Sequence, residues 1–374
     1  MKIFLALLTF AASALAHSGS SDHDFSKRRL DVGKTGLAKR ASCTIKSLAD
    51  VSKAQTCTDI LIESFTVPAG QTFELKLKDN TIVHLMGDLK FATGKNWEGP
   101  LMSVSGKNID FRGNGHKLDG QGAWYWDGKG GNGGKTKPKF FKVKFSGKMT
   151  NVVLYNQPVH GFSVSNPAKL LMSGITVDCR DGKTGGGHNT DAFDVSASTD
   201  LTITNSKIYN QDDCIAINDA KNLVFSNNRC EGGHGISVGS IKDGKHVSGV
   251  TIKGNTIVDS DQALRIKTYV GAKDASVDSI LYDGNTASGI AKYGVIIQQD
   301  YTNEGATGKA TNGVPIKNVH ITGKTTSISV DKKAKQVYVL CASGACSDFD
   351  FSSLSVTGGS KGSTSGVSVK NWKI

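Results

Sequence analysis

The sequence predicts an all-β protein, a parallel β-helix in which each coil of the chain stacks on the preceding one. Among 374 residues there are 44 glycines and only 6 prolines, and few stretches show the 3.6-residue periodicity of a helix. Apolar and polar residues alternate in short runs, as is typical of strands joined by tight turns. These runs recur at intervals of one coil, which is typical of a solenoid.

Two sets of apolar pairs define the predicted strands. The first set contains Leu201/Ile203, Leu223/Phe225, Val250/Ile252, Ile280/Tyr282 and Val319/Ile321. The second contains Phe193/Val195, Ile215/Ile217, Ile236/Val238, Leu264/Ile266 and Val295/Ile297, with spacings of 22, 21, 28 and 31 residues. A sandwich or jelly roll would place hairpins between successive strands. Here the apolar pattern of one strand recurs in the second strand after it and not in the next one, which favours the β-helix.

The ends of such a stack are exposed sheet edges that need a cover. Residues 48–54 form an amphipathic stretch between Cys43 and Cys57. We therefore expect a short capping helix at the N-terminal end.

The N-terminus predicts secretion. Lys2, an apolar run over residues 3–12 and the small-residue site Ala14-Leu15-Ala16 indicate a signal peptide over residues 1–16. The run is too short to span a bilayer. Residues 17–40 are polar and end in a dibasic pair, which predicts a pro-segment. The mature chain, residues 41–374, has no linker composition, so a single domain is expected.

The charge favours an acidic partner. The formal net charge is +12, and removal of residues 1–40, with seven basic and three acidic side chains, leaves +8. Nucleic acid, an anionic membrane and an acidic glycan all suit such a charge. The sequence has no recognised nucleic-acid motif and no basic amphipathic helix, so the glycan is favoured.

Seven cysteines follow the expected signal peptide, where disulfides persist. Short separations predict the pairs Cys43–Cys57, Cys214–Cys230 and Cys341–Cys346 and leave Cys179 as a free thiol. The two larger loops would each contribute about 3 kcal/mol. Metal binding is disfavoured because no Cys-x-x-Cys spacing or histidine pair is present.

Four motifs carry the chemistry: Asn189-Thr190-Asp191, Gln211-Asp212-Asp213, Gly233-His234-Gly235 and Arg265-Ile266-Lys267. The steps from Asp191 to Asp212 and from Asp212 to His234 are 21 and 22 residues. Each is a plausible coil length, so the motifs would become neighbours in space. Such a stack gathers an acid, its bases and an anion clamp, as hydrolysis of an acidic polysaccharide requires.

Asp212-Asp213 has an alternative interpretation, because two adjacent aspartates alone would indicate a turn. With Asp191 one coil earlier, the three like charges should keep one carboxyl protonated and another charged. We expect Asp212 to carry the raised pKa. His234 is expected to assist, and its flanking glycines to let the backbone approach a ligand.

Strand alternation predicts that the anion clamp, Arg265 and Lys267, is exposed to solvent. With Leu264 and Ile266 in the core, Arg265 and Lys267 face outward. We expect the clamp to bind a uronate carboxylate, and the loss of Lys267 to weaken binding with little change in stability. The same alternation would bury Asp213 unless the chain bends between residues 210 and 214.

Aromatic residues near these motifs have two interpretations. Tyr301 is either packing or a group that hydrogen-bonds or stacks on a sugar. Trp124, Tyr125 and Trp126 resemble sugar-binding aromatics, although packing at a coil edge explains them equally well.

The four motifs, in this order and spacing, resemble the signature of family 28 glycoside hydrolases, specifically secreted endopolygalacturonases. The similarity extends from Ala41 through the chain and includes Tyr125-Trp126-Asp127-Gly128-Lys129 and Gln299-Asp300-Tyr301. It implies a right-handed parallel β-helix that hydrolyses internal α-1,4 bonds of polygalacturonate with inversion. No metal or cofactor is implied, and a monomer is expected.

The resemblance also implies roles for individual residues. Asp212 would be the general acid, Asp191 and Asp213 would activate water, and His234 would tune the acid. The residues expected to hold substrate are Arg265, Lys267, Tyr301 and Asn189. The alternatives are an exo-acting polygalacturonase, a rhamnogalacturonan hydrolase, a calcium-dependent pectate lyase and a non-catalytic pectin-binding protein.

Overall fold

The computed structural model describes residues 43–372. The expected signal peptide and pro-segment, residues 1–16 and 17–40, lie outside the described residues. Residues 43–372 form a right-handed parallel β-helix, a single wound sheet whose successive coils pair in parallel. The predicted fold class is confirmed.

Each coil contributes to three columns of parallel strands. The first column contains Phe73–Lys76, Met102–Arg112, Phe141–Thr150, Phe162–Val164, Phe193–Val195, Ile215–Ile217, Ile236–Ile241, Thr256–Tyr269, Thr286–Thr302, Lys335–Leu340 and Ser360–Ser365. The second column shares Met102–Arg112 and Phe141–Thr150 and adds Thr44–Ile45, Asp59–Ile62, Ile82–Leu85, Leu170–Ser173, Ser198–Thr204, Ala220–Ser226, His246–Lys253, Ser276–Asp283, Ile316–Ile321, Cys346–Asp350 and Val369–Lys370. The third column shares Thr256–Tyr269 and Thr286–Thr302 and adds Phe65–Val67, Leu89–Phe91, Lys117–Asp119, Val153–Tyr155, Thr176–Asp178, Lys207–Tyr209, Arg229–Glu231, Thr326–Val330 and Leu354–Thr357.

Both predicted sets of strands pair as the spacing indicated. Leu201 pairs with Leu223, and Phe193 pairs with Ile215, each one coil later. The prediction of only two sets was wrong, because it missed the third column. Its strands in the central coils are short, and Lys207–Tyr209 buries only its middle residue. A single buried residue gives no alternation to detect.

Apolar side chains of successive coils stack inside the helix. The ring of Phe162 lies 5.5 Å from that of Phe141 and 5.3 Å from that of Phe193. This contact fixes the register of the first column, because a slip of one residue would turn every aromatic ring outward.

The expected cap is present at the N-terminal end. A 3₁₀ turn over Leu48–Asp50 leads into the helix Val51–Ala54, and Ala54 is fully buried. Two further helical turns, Gly122–Tyr125 and Gly182–Gly185, lie in loops between coils. The short strand Gly305–Ala306 folds back antiparallel on the end of Thr286–Thr302.

The three expected disulfides are formed, joining Cys43 to Cys57, Cys214 to Cys230 and Cys341 to Cys346. Cys179 is buried and has no disulfide partner within residues 43–372. None of the helices described is long and apolar enough to cross a membrane.

Candidate active site

One position in the coil supplies five ionisable groups of the site. It lies two residues before the first buried residue of each first-column strand, and in five successive coils it holds Lys139, His160, Asp191, Asp213 and His234. Because adjacent strands lie about 4.8 Å apart, these residues form a row along the helix axis. We call it the corner row.

The corner row lines one groove with a volume of about 1010 Å³. Every residue that the sequence analysis assigned to catalysis or substrate binding lies in it: Asn189, Asp191, Asp212, Asp213, His234, Arg265, Lys267 and Tyr301. The groove also contains His160, Asp194 and Asp261, which the sequence analysis did not single out.

Asp212 is held by three hydrogen bonds. Its Oδ1 lies 2.9 Å from His234 Nδ1 and accepts the backbone N–H of Asp213 at 2.8 Å, while its Oδ2 accepts the amide of Asn189 at 2.9 Å. Burial raises the pKa of Asp212, but the His234 hydrogen bond and charge and the Lys267 charge outweigh it and lower the pKa overall. The expectation that Asp212 carries the raised pKa was wrong for the free protein, because these partners favour its charged form.

Asp191 carries the raised pKa instead. The chief cause is burial, followed by the negative charges of Asp212, Asp194 and Asp213. Only 7% of Asp191 is exposed. As expected, like charges separate the pKa values within the trio, but the raised pKa belongs to Asp191 and not to Asp212.

His234 links two carboxylates. Its Nδ1 faces Asp212, and its Nε2 lies 3.5 Å from Asp261 Oδ2. Burial lowers the pKa of His234, but the Asp212 hydrogen bond and the charges of Asp212, Asp213 and Asp261 raise it overall. His234 and Asp212 can therefore share one proton across their 2.9 Å contact.

The glycines beside His234 serve the packing of coils. A Cβ at Gly233 would collide with the Asp212 carbonyl oxygen, and one at Gly235, where φ is 73°, would collide with that of Gln262. The close approach that both glycines allow is to the backbones of the adjacent coils.

Lys267 is buried, with 6% of its surface exposed, and its Nζ lies 2.7 Å from Asp213 Oδ2. Burial lowers the pKa of Lys267, but the charge of Asp213 raises it overall. The expectation of a solvent-exposed Lys267 was wrong. Alternation does turn the Lys267 side chain out of the coil interior, but at the floor of the groove it is covered by neighbouring side chains, including Asp213 and Tyr301.

Asp213 is buried, but it lines the groove and not the apolar interior of the coil, because the chain bends there as expected from the sequence. Bends occur at Gln211, Asp212 and Cys214. The Asp213 carboxylate accepts a hydrogen bond from Ser237 Oγ at 2.6 Å in addition to its ion pair with Lys267. The disulfide of Cys214 to Cys230 ties this turn to the third column.

Arg265, the second basic residue of the anion clamp, lies beside Tyr301. The Tyr301 ring lies 5.1 Å from both the Arg265 guanidinium and the Lys267 ammonium. Arg265 Nε is buried and has no hydrogen-bond partner among the described residues. A buried donor without a partner is costly, so a carboxylate in the groove would stabilise it.

The remaining aromatics take different positions. Tyr125 and Trp126 are buried, and Trp126 Nε1 donates to the Gln157 carbonyl at 3.1 Å. Trp124 is 38% exposed and contacts Lys135. None of the three lines the described groove.

The sequence contained a signal for the residues that were missed. His160 precedes Phe162 by two residues, just as Asp191 precedes Phe193. Extending the second set of strands one coil toward the N-terminus would have placed His160 beside Asp191.

Comparisons with known proteins agree with this geometry. The family model "Glycosyl hydrolases family 28" matches residues 57–373. The chain is 47% identical to a polygalacturonase of Penicillium griseoroseum, over 90% of this chain and 93% of that protein. It is 46% identical to endopolygalacturonase 1 of Colletotrichum lindemuthianum, over 87% of this chain and 90% of that protein.

A solved structure has the same fold. Endopolygalacturonase I of Stereum purpureum, in complex with two galacturonates, superposes with a TM-score of 0.83 at 45% identity, covering 87% of this chain and 98% of that one. The family model and the relatives each extend over most of the chain. The chain therefore belongs to family 28 of the glycosyl hydrolases.

Proposed function

We propose that this protein is a secreted endopolygalacturonase that hydrolyses internal α-1,4-galacturonosyl bonds of polygalacturonate with inversion. The observation that carries the proposal is the arrangement of the groove, in which three buried carboxylates lie beside the pair of Arg265 and Lys267. A glycosidase uses carboxyl groups as general acid and base. The two basic side chains can bind the carboxylate of an acidic sugar. The bound galacturonate of the Stereum relative supports this substrate.

In the proposed reaction, Asp212 protonates the leaving glycosidic oxygen. It receives its proton from His234 across the 2.9 Å contact, so the pair supplies a neutral acid although the free carboxyl has a lowered pKa. Asn189 Nδ2, 2.9 Å from Asp212 Oδ2, orients the acid. Asn189 was expected to bind substrate, but its amide is engaged by this carboxylate.

Asp191 and Asp213 activate the attacking water. The Asp213 carboxylate is held by its ion pair with Lys267 and its hydrogen bond from Ser237. Asp191 must lose its proton to act as a base, so we place the acidic limit of activity at its ionisation. Arg265 and Tyr301 hold the sugar carboxylate.

We propose that hydrolysis needs no metal. Asp212, Asp213 and His234 present ligand atoms within 4.8 Å of one another. However, the Lys267 ammonium occupies Asp213 and the His234 imidazole faces Asp212, and a positively charged partner opposes a cation there. A chelator should leave the rate unchanged.

A time course of products from polygalacturonate tests the proposal, with reducing ends and ultraviolet absorbance read together. An endo-acting hydrolase gives a ladder of intermediate oligomers, new reducing ends and no absorbance. Release of only the smallest products would indicate an exo-acting enzyme, and absorbing, chelator-sensitive products a lyase. No new reducing ends would indicate a pectin-binding protein, and preference for rhamnogalacturonan the related hydrolase.

Secretion, processing and a monomeric state also belong to the proposal. The three disulfides support an oxidising compartment. Mass spectrometry of the secreted protein should find Ala41 at the N-terminus. A dominant species that begins at His17 would refute the pro-segment, and light scattering would test the monomer.

A further inference from the structure

The carboxylate trio has a second histidine that the proposed reaction does not use. His160 occupies the corner-row position one coil before Asp191. Its Nδ1 lies 3.0 Å from Asp194 Oδ2, and its Nε2 lies 3.9 Å from Asp191 Oδ1. The imidazole therefore stands between the two carboxylates, with one ring nitrogen directed at each.

This arrangement mirrors the one on the other side of the trio. His234 faces Asp212 through Nδ1 and Asp261 through Nε2, and it lies one coil after Asp213 in the corner row. The trio is thus flanked by a histidine on each side along the helix axis. Each histidine has one carboxylate of the trio and one outside it.

We propose that His160, held by Asp194, is a positioning residue whose positive charge keeps Asp191 ionised as a base. Asp191 is the carboxylate most opposed to ionisation, because it is buried among like charges. A cation within 4–6 Å of a carboxylate favours its charged form. The charge of Lys267 also lowers the pKa of Asp191, but Lys267 is paired with Asp213. Among the described residues, His160 is the basic group that lies within 4 Å of the Asp191 carboxylate, at 3.9 Å.

The surroundings of His160 favour its protonated form. Burial lowers the pKa of His160, and so does the charge of Lys139. The charges of Asp194, 3.0 Å from Nδ1, and of Asp212 raise it, and the balance is a raised pKa. His160 therefore carries its charge in the acidic range where Asp191 must lose its proton. Asp194 sits beside both groups, and its charge opposes the ionisation of Asp191 while supporting that of His160.

Charge removal at these two sites should move the acidic limb of the pH profile in opposite directions. In His160→Gln, Asp191 loses its cation, its pKa rises, and the acidic limb of kcat/KM moves up by about one pH unit. In Asp194→Asn, compared at pH values where NMR titration shows His160 still protonated, Asp191 loses a neighbouring anion, its pKa falls, and the limb moves down. A residue that only maintained the fold would lower kcat/KM by one factor at all pH values.

Lys139→Gln is the matched control for charge. Lys139 lies in the same row one coil further from Asp191, and it is exposed, so solvent screens its field. The acidic limb of the pH profile of Lys139→Gln should shift by less than half as much as that of His160→Gln. Melting temperatures of all variants check the fold.

The inference rests on the proposed function, and the two can fail separately. Shifts of His160→Gln and Asp194→Asn in the same direction, or an equal shift for Lys139→Gln, would overturn the role of His160 in an active enzyme. Absence of hydrolysis by the unmodified protein would instead refute the function. In that case NMR titration of the histidine side chains still tests the pairing, since Asp194→Asn must lower the titration midpoint of His160, and an unchanged midpoint would overturn it.

Discussion

Lys267 and Asp213 form an ion pair at the floor of the groove, with Nζ 2.7 Å from Oδ2 and almost no exposure of either side chain. Two roles meet in this contact. It holds a proposed catalytic carboxylate in position, and it gives a counter-charge to a lysine that would otherwise be buried without one. The stability of the protein and the chemistry of the site are therefore coupled through one pair.

Lys267→Met should destabilise the protein by about 3–5 kcal/mol, because it leaves a buried carboxylate without its partner. Chemical denaturation measures the effect. Lys292→Met is the matched control, since Lys292 is 2.7 Å from Asp261 but its side chain is 60% exposed, and it should cost less than about 1 kcal/mol. The double variant Lys267→Met/Asp213→Asn should regain most of the loss. Equal stability of the two single variants would show that burial of the pair is energetically irrelevant.

Asp212→Asn should reduce kcat about 10²–10⁴-fold, because the amide cannot donate the proton to the leaving oxygen. The variant should fold normally and bind oligogalacturonate, which calorimetry can measure. Asp261→Asn is the control: it removes the other carboxylate beside His234, which does not touch the acid, and should cost less than tenfold. Substantial turnover by Asp212→Asn would refute its assignment as the acid.

Asp191→Asn should stabilise the protein at neutral pH while abolishing hydrolysis. The folded-state pKa of Asp191 is raised above its ordinary value of 3.8, so its charged form is disfavoured by folding. The cost is absent below the unfolded pKa, grows as the pH rises from the unfolded to the folded pKa, and is complete above the folded pKa. We expect the melting temperature at pH 7 to rise by about 2 °C or more, with the gain vanishing near pH 3. A gain that persists at pH 3 would show that it does not come from ionisation.

Lys142→Ala should weaken binding of long substrates more than short ones. Along the first column, Lys142 pairs with Ser163, Ser163 with Asp194, and Asp194 with Ala216. Lys142 therefore lies three strands, roughly 14 Å, from the coil that contains Asp212 and Asp213. It lines the groove and has no ion pair among the described residues. KM should rise several-fold for polygalacturonate but little for the shortest oligomer that is cleaved.

Lys144→Ala provides the control for that experiment. Lys144 lies two residues further along the same strand, on the same face but outside the groove. Its KM should be unchanged for every substrate length. An equal effect of Lys144→Ala would attribute the change to net charge and not to a contact.

The sequence by itself determined the fold class and brought the expected catalytic and substrate-binding residues together at one site. The period-2 alternation of Phe193/Val195 and Ile215/Ile217 fixes which side chains enter the core, and their coil-length spacing fixes which residues become neighbours. This was enough to place Asp191, Asp212, Asp213 and His234 together. It was not enough to detect strands such as Lys207–Tyr209, where one buried residue leaves no pattern.

Only the tertiary structure decided the ionisation and burial of these groups. Alternation gives the direction of a side chain but not what covers it, so Lys267 was expected in solvent and is buried against Asp213. Likewise, the sequence shows that three carboxylates compete for protons but not which one wins. That depends on hydrogen bonds within 3 Å. Those of His234 and the Asp213 backbone lower the pKa of Asp212, while Asp191 is left buried among negative charges.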